Sequence, residues 1–376
     1  MRKIMWLLLA IPVVLQAQKK QDEFDKYIME AMRKDSIPGV TFLVTQNGKV
    51  LKAGSYGLAN IELNVPAKQE TVYELASISK PITATAIMLL VEEGKLNLDS
   101  SISNYLNNVP ASHQKIKLRN LLNHTSGIPE DHFNYQKLYA PSPLRYNTQE
   151  QLADLFKAKL LFEPGERFKY SNAGFFMQAA IIEKASGMPY YDFVKQRIFK
   201  VAGMKTARFI HADSVVYNRA QGYTLRKSNW VRFSLEGVLQ ALDNNGFGAA
   251  MASVNDIRLF FEALNAGKVL KKESFAAMQV ASLFNNGNKV AANPNASPCG
   301  LSWFLQAKDF EGRNCISHSG HTGTYAVFFP ESGLSVIYFT NIGEGYKSML
   351  GDKGAGVTVK GTKLAQMAVQ KFLSKP

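Results

Sequence analysis

The segment ELASISKPITATAIMLLVEEG, residues 74–94, predicts a reactive serine at the start of a long apolar helix. Lys80 follows Ser77 by three residues, so both side chains project from one face of the first helical turn. Pro81 suits this position because a first-turn amide has no partner within the helix. A serine hydroxyl is a weak nucleophile and needs a base within hydrogen-bonding distance. An amine one turn away can be that base if burial lowers its pKa from about 10.4.

The Ser-x-x-Lys spacing is a weak signal alone, since Ser112 and Lys115 repeat it in a polar stretch with no apolar helix behind it. Taken alone, the spacing at Ser77 favours a helix-capping serine beside a solvated lysine. Two further features change this balance.

The first is Tyr170, Ser171 and Asn172, which lie in FEPGERFKYSNAGFFMQAAII (162–182) just before another apolar helix. A tyrosine can relay a proton, and an asparagine amide can both donate to and accept from a substrate amide or ester. The same tyrosine-to-asparagine spacing occurs at Tyr105 and Asn107, where it is a decoy.

The second feature lies in NCISHSGHTGTYAVFFPESG (314–333), where His318, Ser319 and Gly320 precede a predicted strand. Glycine at this place is expected to let a substrate approach the strand backbone closely.

In this order, the three features resemble the three motifs of the penicillin-recognising serine hydrolases. The branch they are most similar to is the class C β-lactamases with their D,D-peptidase and esterase relatives. Supporting segments resemble the same family: LLNHTSGIP (121–129), PGERFKYSN (164–172) and GFGAAMASVNDIRLF (246–260). The resemblance covers nearly the whole chain after its first residues.

The resemblance implies a mixed α/β (α+β), β-lactamase/transpeptidase-like fold with a catalytic cleft, and it assigns roles. Ser77 would be the acylated nucleophile and Lys80 its proton acceptor. Tyr170 would return the proton to the leaving group, and Asn172 would position the substrate. Which of Lys80 and Tyr170 takes the first proton stays open, because the two are coupled.

The resemblance also assigns the third motif. Three residues, His318, Ser319 and Gly320, would line the cleft on an edge strand, and the N–H groups of Ser77 and His321 would form the oxyanion hole. The β-lactamases of this branch have lysine where this chain has His318. A histidine with a free pKa of about 6.5 is mostly neutral at pH 7 and is expected to become charged as the pH falls.

This departure weakens the expected attraction for a substrate carboxylate, so an esterase or peptidase fits better than an efficient β-lactamase. An alternative third motif at His321, Thr322 and Gly323 would place the following strand too early. The sequence therefore predicts a serine hydrolase that cleaves an ester, amide or lactam. The alternatives are a true β-lactamase or D,D-carboxypeptidase, and a non-catalytic relative that binds cell-wall peptides.

The ends of the chain predict strands and its middle predicts helices. Asn47 and Gly48 predict a hairpin turn within 40–57, and a second hairpin is expected from strands at 324–330 and 334–340. Helices are predicted at 21–34, 81–93, 174–186, 189–200, 254–266 and 361–374. We therefore expect one antiparallel sheet built from both chain ends, flanked by helices, with an inserted mostly helical region. The expected catalytic domain is 18–376, with its sheet part at roughly 18–76 and 295–376 and its helical part at roughly 77–294.

The composition is that of a basic globular protein, with 376 residues, 44 Lys and Arg against 30 Asp and Glu, a net charge of +14, and 46% hydrophobic residues. This excludes general disorder. The basic residues are scattered and not interleaved with aromatics, so no nucleic-acid partner is expected. No metal-binding histidine pattern is present, and neither a metal nor another cofactor is predicted. The expected partner is a small-molecule or peptide substrate, with cell-wall material among the candidates; oligomeric state is left open.

The first residues resemble a secretory signal peptide. Arg2 and Lys3 precede an apolar run at 4–15, and cleavage is expected after Ala17, which gives a signal segment of 1–17. An uncleaved N-terminal anchor is the alternative. No later stretch is long enough to span a bilayer, so the protein is expected to be exported, to the periplasm or the medium. Cys299 and Cys315 would there be able to pair.

Overall fold

The computed structural model describes residues 21–130, 147–210, 215–226, 229–234, 244–343 and 357–373. The predicted signal segment, 1–17, lies outside the described residues. The helices of the described chain are α1 (Glu23–Asp35), α2 (Ser79–Glu92), α3 (Leu118–Leu122), α4 (Thr148–Phe156), α5 (Ala173–Ser186), α6 (Tyr190–Val194), α7 (Lys200–Ala202), α8 (Val254–Asn265), α9 (Lys272–Met278) and α10 (Val357–Phe372). A 3₁₀ turn, Ala76–Ile78, runs directly into α2.

The strands of the described chain are β1 (Gly39–Gln46), β2 (Lys49–Asn60), β3 (Val65–Pro66), β4 (Tyr73–Glu74), β5 (Arg208–Phe209), β6 (Tyr223–Arg226), β7 (Asn229–Arg232), β8 (Ala250–Ala252), β9 (Phe304–Leu305), β10 (Ile316–Gly320), β11 (Thr324–Phe329) and β12 (Leu334–Thr340). Seven of them form one sheet in the order β3-β2-β1-β12-β11-β10-β9, with antiparallel pairing throughout. The pairing of β1 with β12 joins the two ends of the chain, as the sequence predicts.

Both predicted hairpins are confirmed. Asn47 and Gly48 have φ values of 48° and 83°, which is the left-handed pair that a two-residue turn between β1 and β2 requires. The β11–β12 hairpin closes at Gly333, whose carbonyl accepts a hydrogen bond from the Asn47 amide at 3.0 Å. The two turns therefore lie side by side and keep β1 in register with β12.

The sheet separates two apolar layers. Helices α1 and α10 cover one face, where Phe24 stacks on Phe372 with ring centroids 6.0 Å apart. The other face packs against the larger core, which contains α2, α5 and α8. Helix α2 is buried at every position from Ser79 to Leu90, and it packs against α5. Such complete burial fixes the positions of the residues at the N-terminal ends of these helices, where the candidate motifs lie.

The predicted helices agree with the structure to within about two residues at most ends, and Gly187 ends α5 with a left-handed φ of 71°. Two differ. The helix predicted at 189–200 contains a π turn at Lys195–Phe199 between α6 and α7. The helix predicted from 361 begins at Val357, so Gly361 lies inside it, where a Cβ would be 2.2 Å from the Tyr325 ring.

Cys299 and Cys315 are free thiols, and both are buried. Burial raises the pKa of each thiol to about 12, so neither is a thiolate at neutral pH. Within the described ranges, no helix has the length and hydropathy needed to cross a membrane. Those ranges also contain no group of three or more His, Cys, Asp and Glu side chains that could hold a metal ion.

Candidate active site

Ser77 lies in the 3₁₀ turn Ala76–Ile78 that precedes α2, and not in the first turn of the helix as the sequence predicts; α2 begins at Ser79. Its neighbour Ala76 has a φ of 46°, a left-handed conformation that costs an alanine about 1 kcal/mol or more. Strand β8 holds the turn from both sides: Leu75 donates its N–H to the Ala250 carbonyl at 2.9 Å, and Ala250 donates its N–H to Ser79 Oγ at 3.0 Å. The half-buried Ser77 side chain is therefore displayed on a fixed backbone.

The Lys80 amine is buried directly beneath Ser77. Its Nζ donates to Ser77 Oγ and to the Phe247 carbonyl, each at 3.0 Å. It also lies 4.8 Å from the centre of the Tyr170 ring. Desolvation lowers the pKa of Lys80 to about 7, although the negative charge of Glu130 opposes part of this shift. A large fraction of Lys80 is thus neutral at pH 7 and able to accept a proton.

The Tyr170 hydroxyl completes a cluster with these two groups, because it lies close enough to Ser77 for the serine hydroxyl to lower its pKa, and its ring lies beside the Lys80 amine. Burial raises the pKa of Tyr170 above its usual value, and the charge of Glu130 acts in the same direction. Tyr170 therefore holds its proton at neutral pH. The structure brings Ser77, Lys80 and Tyr170 together, and the decoys lie elsewhere: Ser112 is exposed and bonded to His113, and the Tyr105 hydroxyl accepts from the Asn97 amide.

His124 packs against the Tyr170 ring, and the sequence analysis did not identify it as a site residue. Its ring stacks on the Tyr170 ring with centroids 4.4 Å apart. The Ser171 N–H donates to His124 Nδ1 at 3.1 Å, so Nδ1 is unprotonated. Burial and the nearby Lys80 charge hold the pKa of His124 well below its usual range. The only sequence signal was its place in the family-like segment 121–129.

Glu130 is a second residue that the sequence did not single out. The Asn172 N–H, at the start of α5, donates to Glu130 Oε2 at 2.9 Å. The carboxylate is close enough to Lys80 and Tyr170 for its charge to affect the pKa of both. The site therefore contains an acidic group beside the predicted substrate-positioning Asn172.

His318, Ser319 and Gly320 lie on strand β10, next to β11. On the other side, the short β9 pairs only with Ile316 and Ser317, so in the described chain no strand covers the edge at the last three residues of β10. The reason for Gly320 differs from the predicted one. A Cβ at this position would lie 2.2 Å from the Leu75 carbonyl oxygen. Gly320 therefore allows the Leu75 backbone, two residues before Ser77, to approach β10, and this space is filled by the protein's own chain and not by a substrate.

His318 is buried, and the expectation that it titrates near pH 6.5 is wrong. Burial and the positive charge of Lys80 lower the pKa of His318 to about 3. Its Nδ1 lies 2.8 Å from the Ser319 carbonyl oxygen, which can only accept, so Nδ1 carries the ring proton. His318 is thus a neutral imidazole, and its ring lies 6.4 Å from that of Tyr170 and 5.4 Å from that of Phe304.

His321 lies in the turn that follows β10, and its ring packs edge-on against Phe233 at 5.7 Å. In this turn the Gly323 N–H donates to the Gly320 carbonyl at 3.0 Å. The alternative third motif at 321–323 therefore lies in the turn, and the residues of the preferred motif are the ones on β10.

A cavity of about 1080 Å³ adjoins the cluster without including its reactive residues. It is lined by Phe168, which packs on His124 at 5.6 Å, by Leu305 of β9, and by residues 291–298. Among the described residues, the cavity is therefore connected to the site only through Phe168, which packs on His124, and Leu305, which pairs with Ile316 of β10.

Comparison with known proteins gives a consistent result. The model of the Beta-lactamase family matches residues 24–356. A penicillin-binding protein of Bacillus subtilis (strain 168) is 31% identical over 330 residues, covering 80% of this chain and 67% of that protein. The chain thus spans about two thirds of the length of the curated relatives that it matches.

Two solved structures share the fold. The octameric penicillin-binding protein homologue from Pyrococcus abyssi has a TM-score of 0.72 and 26% identity, over 88% of this chain and 77% of that one. EstCE1, described as a hydrolase with promiscuous acyltransferase activity, has a TM-score of 0.74 and 23% identity, over 91% of this chain and 98% of that one. The predicted mixed α/β fold class is confirmed by these neighbours and by the sheet itself.

Proposed function

The chain belongs to the Beta-lactamase family, and from this premise we propose an exported serine hydrolase that opens an ester, amide or lactam bond through an acyl-enzyme on Ser77. Its membership makes it a serine hydrolase of the β-lactamase and penicillin-binding-protein type. One observation supports the assignment of Ser77 above all others. A buried amine, Lys80 Nζ, lies 3.0 Å from Ser77 Oγ and has a pKa of about 7.

In the first proposed step, Ser77 Oγ attacks the substrate carbonyl carbon while its proton passes to the neutral Lys80 amine. The contrast between a lysine pKa of about 7 and a tyrosine pKa raised by burial supports Lys80, not Tyr170, as the first base. The backbone N–H groups of Ser77 and His321 would stabilise the oxyanion.

In the second step, the bond to the leaving group breaks, and the leaving group takes the Tyr170 hydroxyl proton. The Lys80 ammonium then returns a proton to Tyr170, so the pair is reset. Water attacks the acyl-enzyme with the same pair as base and acid, and Ser77 regains its proton as the acid product leaves. Asn172 would orient the substrate, with His318, Ser319 and Gly320 forming the strand side of the cleft.

The charges around the site support substrates without a carboxylate. Penicillins and peptide C-termini are anionic, whereas His318 is neutral across the physiological range and Glu130 is acidic. We therefore favour an esterase or amidase over a β-lactamase or D,D-carboxypeptidase. A non-catalytic binder is disfavoured because all three reactive groups are present and lie close together.

Covalent labelling tests the proposal. A fluorophosphonate probe should add once to the protein and map to Ser77, because the buried Lys80 amine lies 3.0 Å from its hydroxyl and can act as its base. Intact mass of the exported protein also shows whether residues 1–17 have been removed. A panel of short-chain esters, amino-acid amides and cephalosporins then ranks the substrates. Absence of an adduct together with absence of turnover would leave the binding-protein alternative.

The pH dependence of kcat/KM tests the choice of base. If neutral Lys80 takes the first proton, kcat/KM should rise about tenfold per pH unit below 7 and level off above it. His318 titrates near pH 3, so it should add no inflection in this range. If Tyr170 were instead the base and needed the Lys80 cation beside it, the rate would fall as the pH rises through 7. Rates for a neutral ester between pH 5 and 9 decide between the two.

A further inference from the structure

The Lys80 amine is held by a buried turn whose residues take no part in the proposed chemical steps. Residues 244–250 are all buried, and the Phe247 carbonyl accepts a hydrogen bond from Lys80 Nζ at 3.0 Å. A neutral amine has two N–H groups and one lone pair. With one N–H bonded to Phe247, the lone pair can face Ser77 Oγ, which also lies 3.0 Å from Nζ. The direction of the Phe247 carbonyl therefore decides how well Lys80 can accept the serine proton.

Asn245 holds the amide side of this turn. Its Oδ1 accepts hydrogen bonds from the N–H groups of Phe247 at 3.2 Å and Gly248 at 3.0 Å. The Gly248 N–H and the Phe247 carbonyl belong to one planar peptide unit and point in opposite directions. Because Asn245 binds that N–H, the carbonyl is directed away from Asn245 and toward Lys80.

Thr83 holds the carbonyl side of the preceding peptide unit. It lies on α2, three residues after Lys80, and its buried Oγ1 is 2.6 Å from the Gly246 carbonyl oxygen. The Tyr190 hydroxyl, on α6, is 2.6 Å from the same Oγ1, and the Ser79 carbonyl is more distant at 3.2 Å. A carbonyl can only accept, so the Thr83 hydroxyl donates to Gly246 and accepts from Tyr190. This chain of hydrogen bonds joins the turn to two helices.

Close packing also restricts the turn. A Cβ on Gly246 would lie 2.4 Å from the Phe175 carbonyl oxygen of α5 and 3.0 Å from Thr83 Cγ2. We propose that Thr83 is a positioning residue for Lys80: by binding the Gly246 carbonyl it keeps the Phe247 carbonyl on Nζ, so that the lone pair faces Ser77. The proposal rests on the proposed function and adds a residue that prepares its base.

The alternative is that Thr83 only satisfies buried carbonyl groups and stabilises the fold. The two roles differ in their effect on the titration of Lys80. A carbonyl bonded to Nζ stabilises the ammonium form, so a carbonyl that turns away lowers the pKa of Lys80. A purely structural Thr83 would affect the free energy of unfolding and leave that pKa unchanged.

The other titratable groups around Lys80 do not obscure this measurement. Burial places the pKa of Tyr170 above the range from pH 5 to 9, and burial places the pKa values of His124 and His318 below it. Glu130 acts on Lys80 through its charge and is kept in every variant. A shifted inflection between pH 5 and 9 therefore reports on Lys80.

Thr83→Val tests the proposal, because valine keeps the branched shape and removes the hydroxyl. With a neutral ester, kcat/KM at high pH should fall about tenfold, since the neutral amine is misdirected. The inflection near pH 7 should move down by about half a pH unit or more. Thr83→Ser keeps the hydroxyl and should restore the native inflection. Tyr190→Phe should shift it in the same direction by a smaller amount, and it decides the test if Thr83→Val does not fold.

Thr85→Val is the matched control. Thr85 is a fully buried threonine of the same helix, and its hydroxyl donates to the Pro81 carbonyl at 2.8 Å, away from the turn. This variant should keep kcat/KM within about threefold and keep the native inflection. An unmoved inflection in Thr83→Val, or losses equal to those of Thr85→Val, would overturn the proposal.

A titration without substrate separates this proposal from the proposed function. In protein labelled with ¹³C-lysine, the Cε signal of Lys80 is the one that Lys80→Arg removes, and its chemical shift follows the protonation of Nζ. The pKa read from this signal should be lower in Thr83→Val than in the native protein and in Thr85→Val. Equal values in all three would refute the positioning role even if Ser77 is labelled, and a lower value would support it even if Ser77 is not.

Discussion

Ser77→Ala is expected to abolish fluorophosphonate labelling and to lower turnover by about 10⁴-fold or more, while the fold is retained. The hydroxyl is the only atom in the proposed mechanism that bonds covalently to the substrate, so no neighbour can replace it. The fold is retained because the substitution removes one hydroxyl from a half-buried site, which lowers the free energy of unfolding by only about 1 kcal/mol. Lys80 keeps its bond to the Phe247 carbonyl. Intact-mass spectrometry, kcat and a thermal melt measure the three effects.

Ser112→Ala is the control, because Ser112 has the same spacing to a lysine but not the same surroundings. It is exposed, its hydroxyl is bonded to His113 at 2.9 Å, and Lys115 pairs with Glu163. This variant should be labelled and should turn over substrate like the native protein. Retained turnover in Ser77→Ala, or equal losses in both variants, would remove Ser77 from the mechanism.

Most of the features that the sequence predicted correctly are local ones. Ser77 and Lys80 meet because helical spacing brings residues three apart together, and an apolar sequence buries them. The turn at Asn47 and Gly48 follows from the positive φ values that those residues tolerate. The pairing of β1 with β12 was predicted because the strand-rich segments at both ends of the chain need hydrogen-bonding partners in a sheet. The helix and turn features depend on a few neighbouring residues and can be predicted directly, whereas the pairing of the chain ends was predicted from the strand patterns of two distant segments.

The features that the sequence missed depend on distant packing. His124 reaches Ser171 across 47 residues, and Glu130 reaches Asn172 across 42, so no local pattern shows either contact. The titration of His318 was misjudged for the same reason. Its type and position are visible in the sequence, but the burial and the Lys80 charge that lower its pKa to about 3 come from other elements. The space at Gly320 is likewise set by Leu75, on a different part of the chain.

Lys80 and Tyr170 act on one proton if the proposed mechanism is correct, and a double-mutant cycle tests that dependence. Lys80 Nζ is hydrogen-bonded to Ser77 Oγ and lies 4.8 Å from the centre of the Tyr170 ring, and Ser77 affects the pKa of Tyr170. Removing the amine leaves no base for Ser77, and removing the phenol leaves no acid for the leaving group. Lys80→Ala and Tyr170→Phe should therefore each lower the acylation rate by about 100-fold or more.

The double variant should lose far less than the product of the two single losses, because a proton relay that is already broken cannot be broken again. Lys115→Ala and Tyr105→Phe change the decoy residues of the same types and should leave the rate unchanged. Single-turnover acylation, followed with a neutral ester, isolates this step from deacylation. Fully multiplicative losses would mean that Lys80 and Tyr170 act separately. The proposed proton transfer from the Lys80 ammonium to Tyr170 would then be wrong, and each group would have to exchange its proton with solvent.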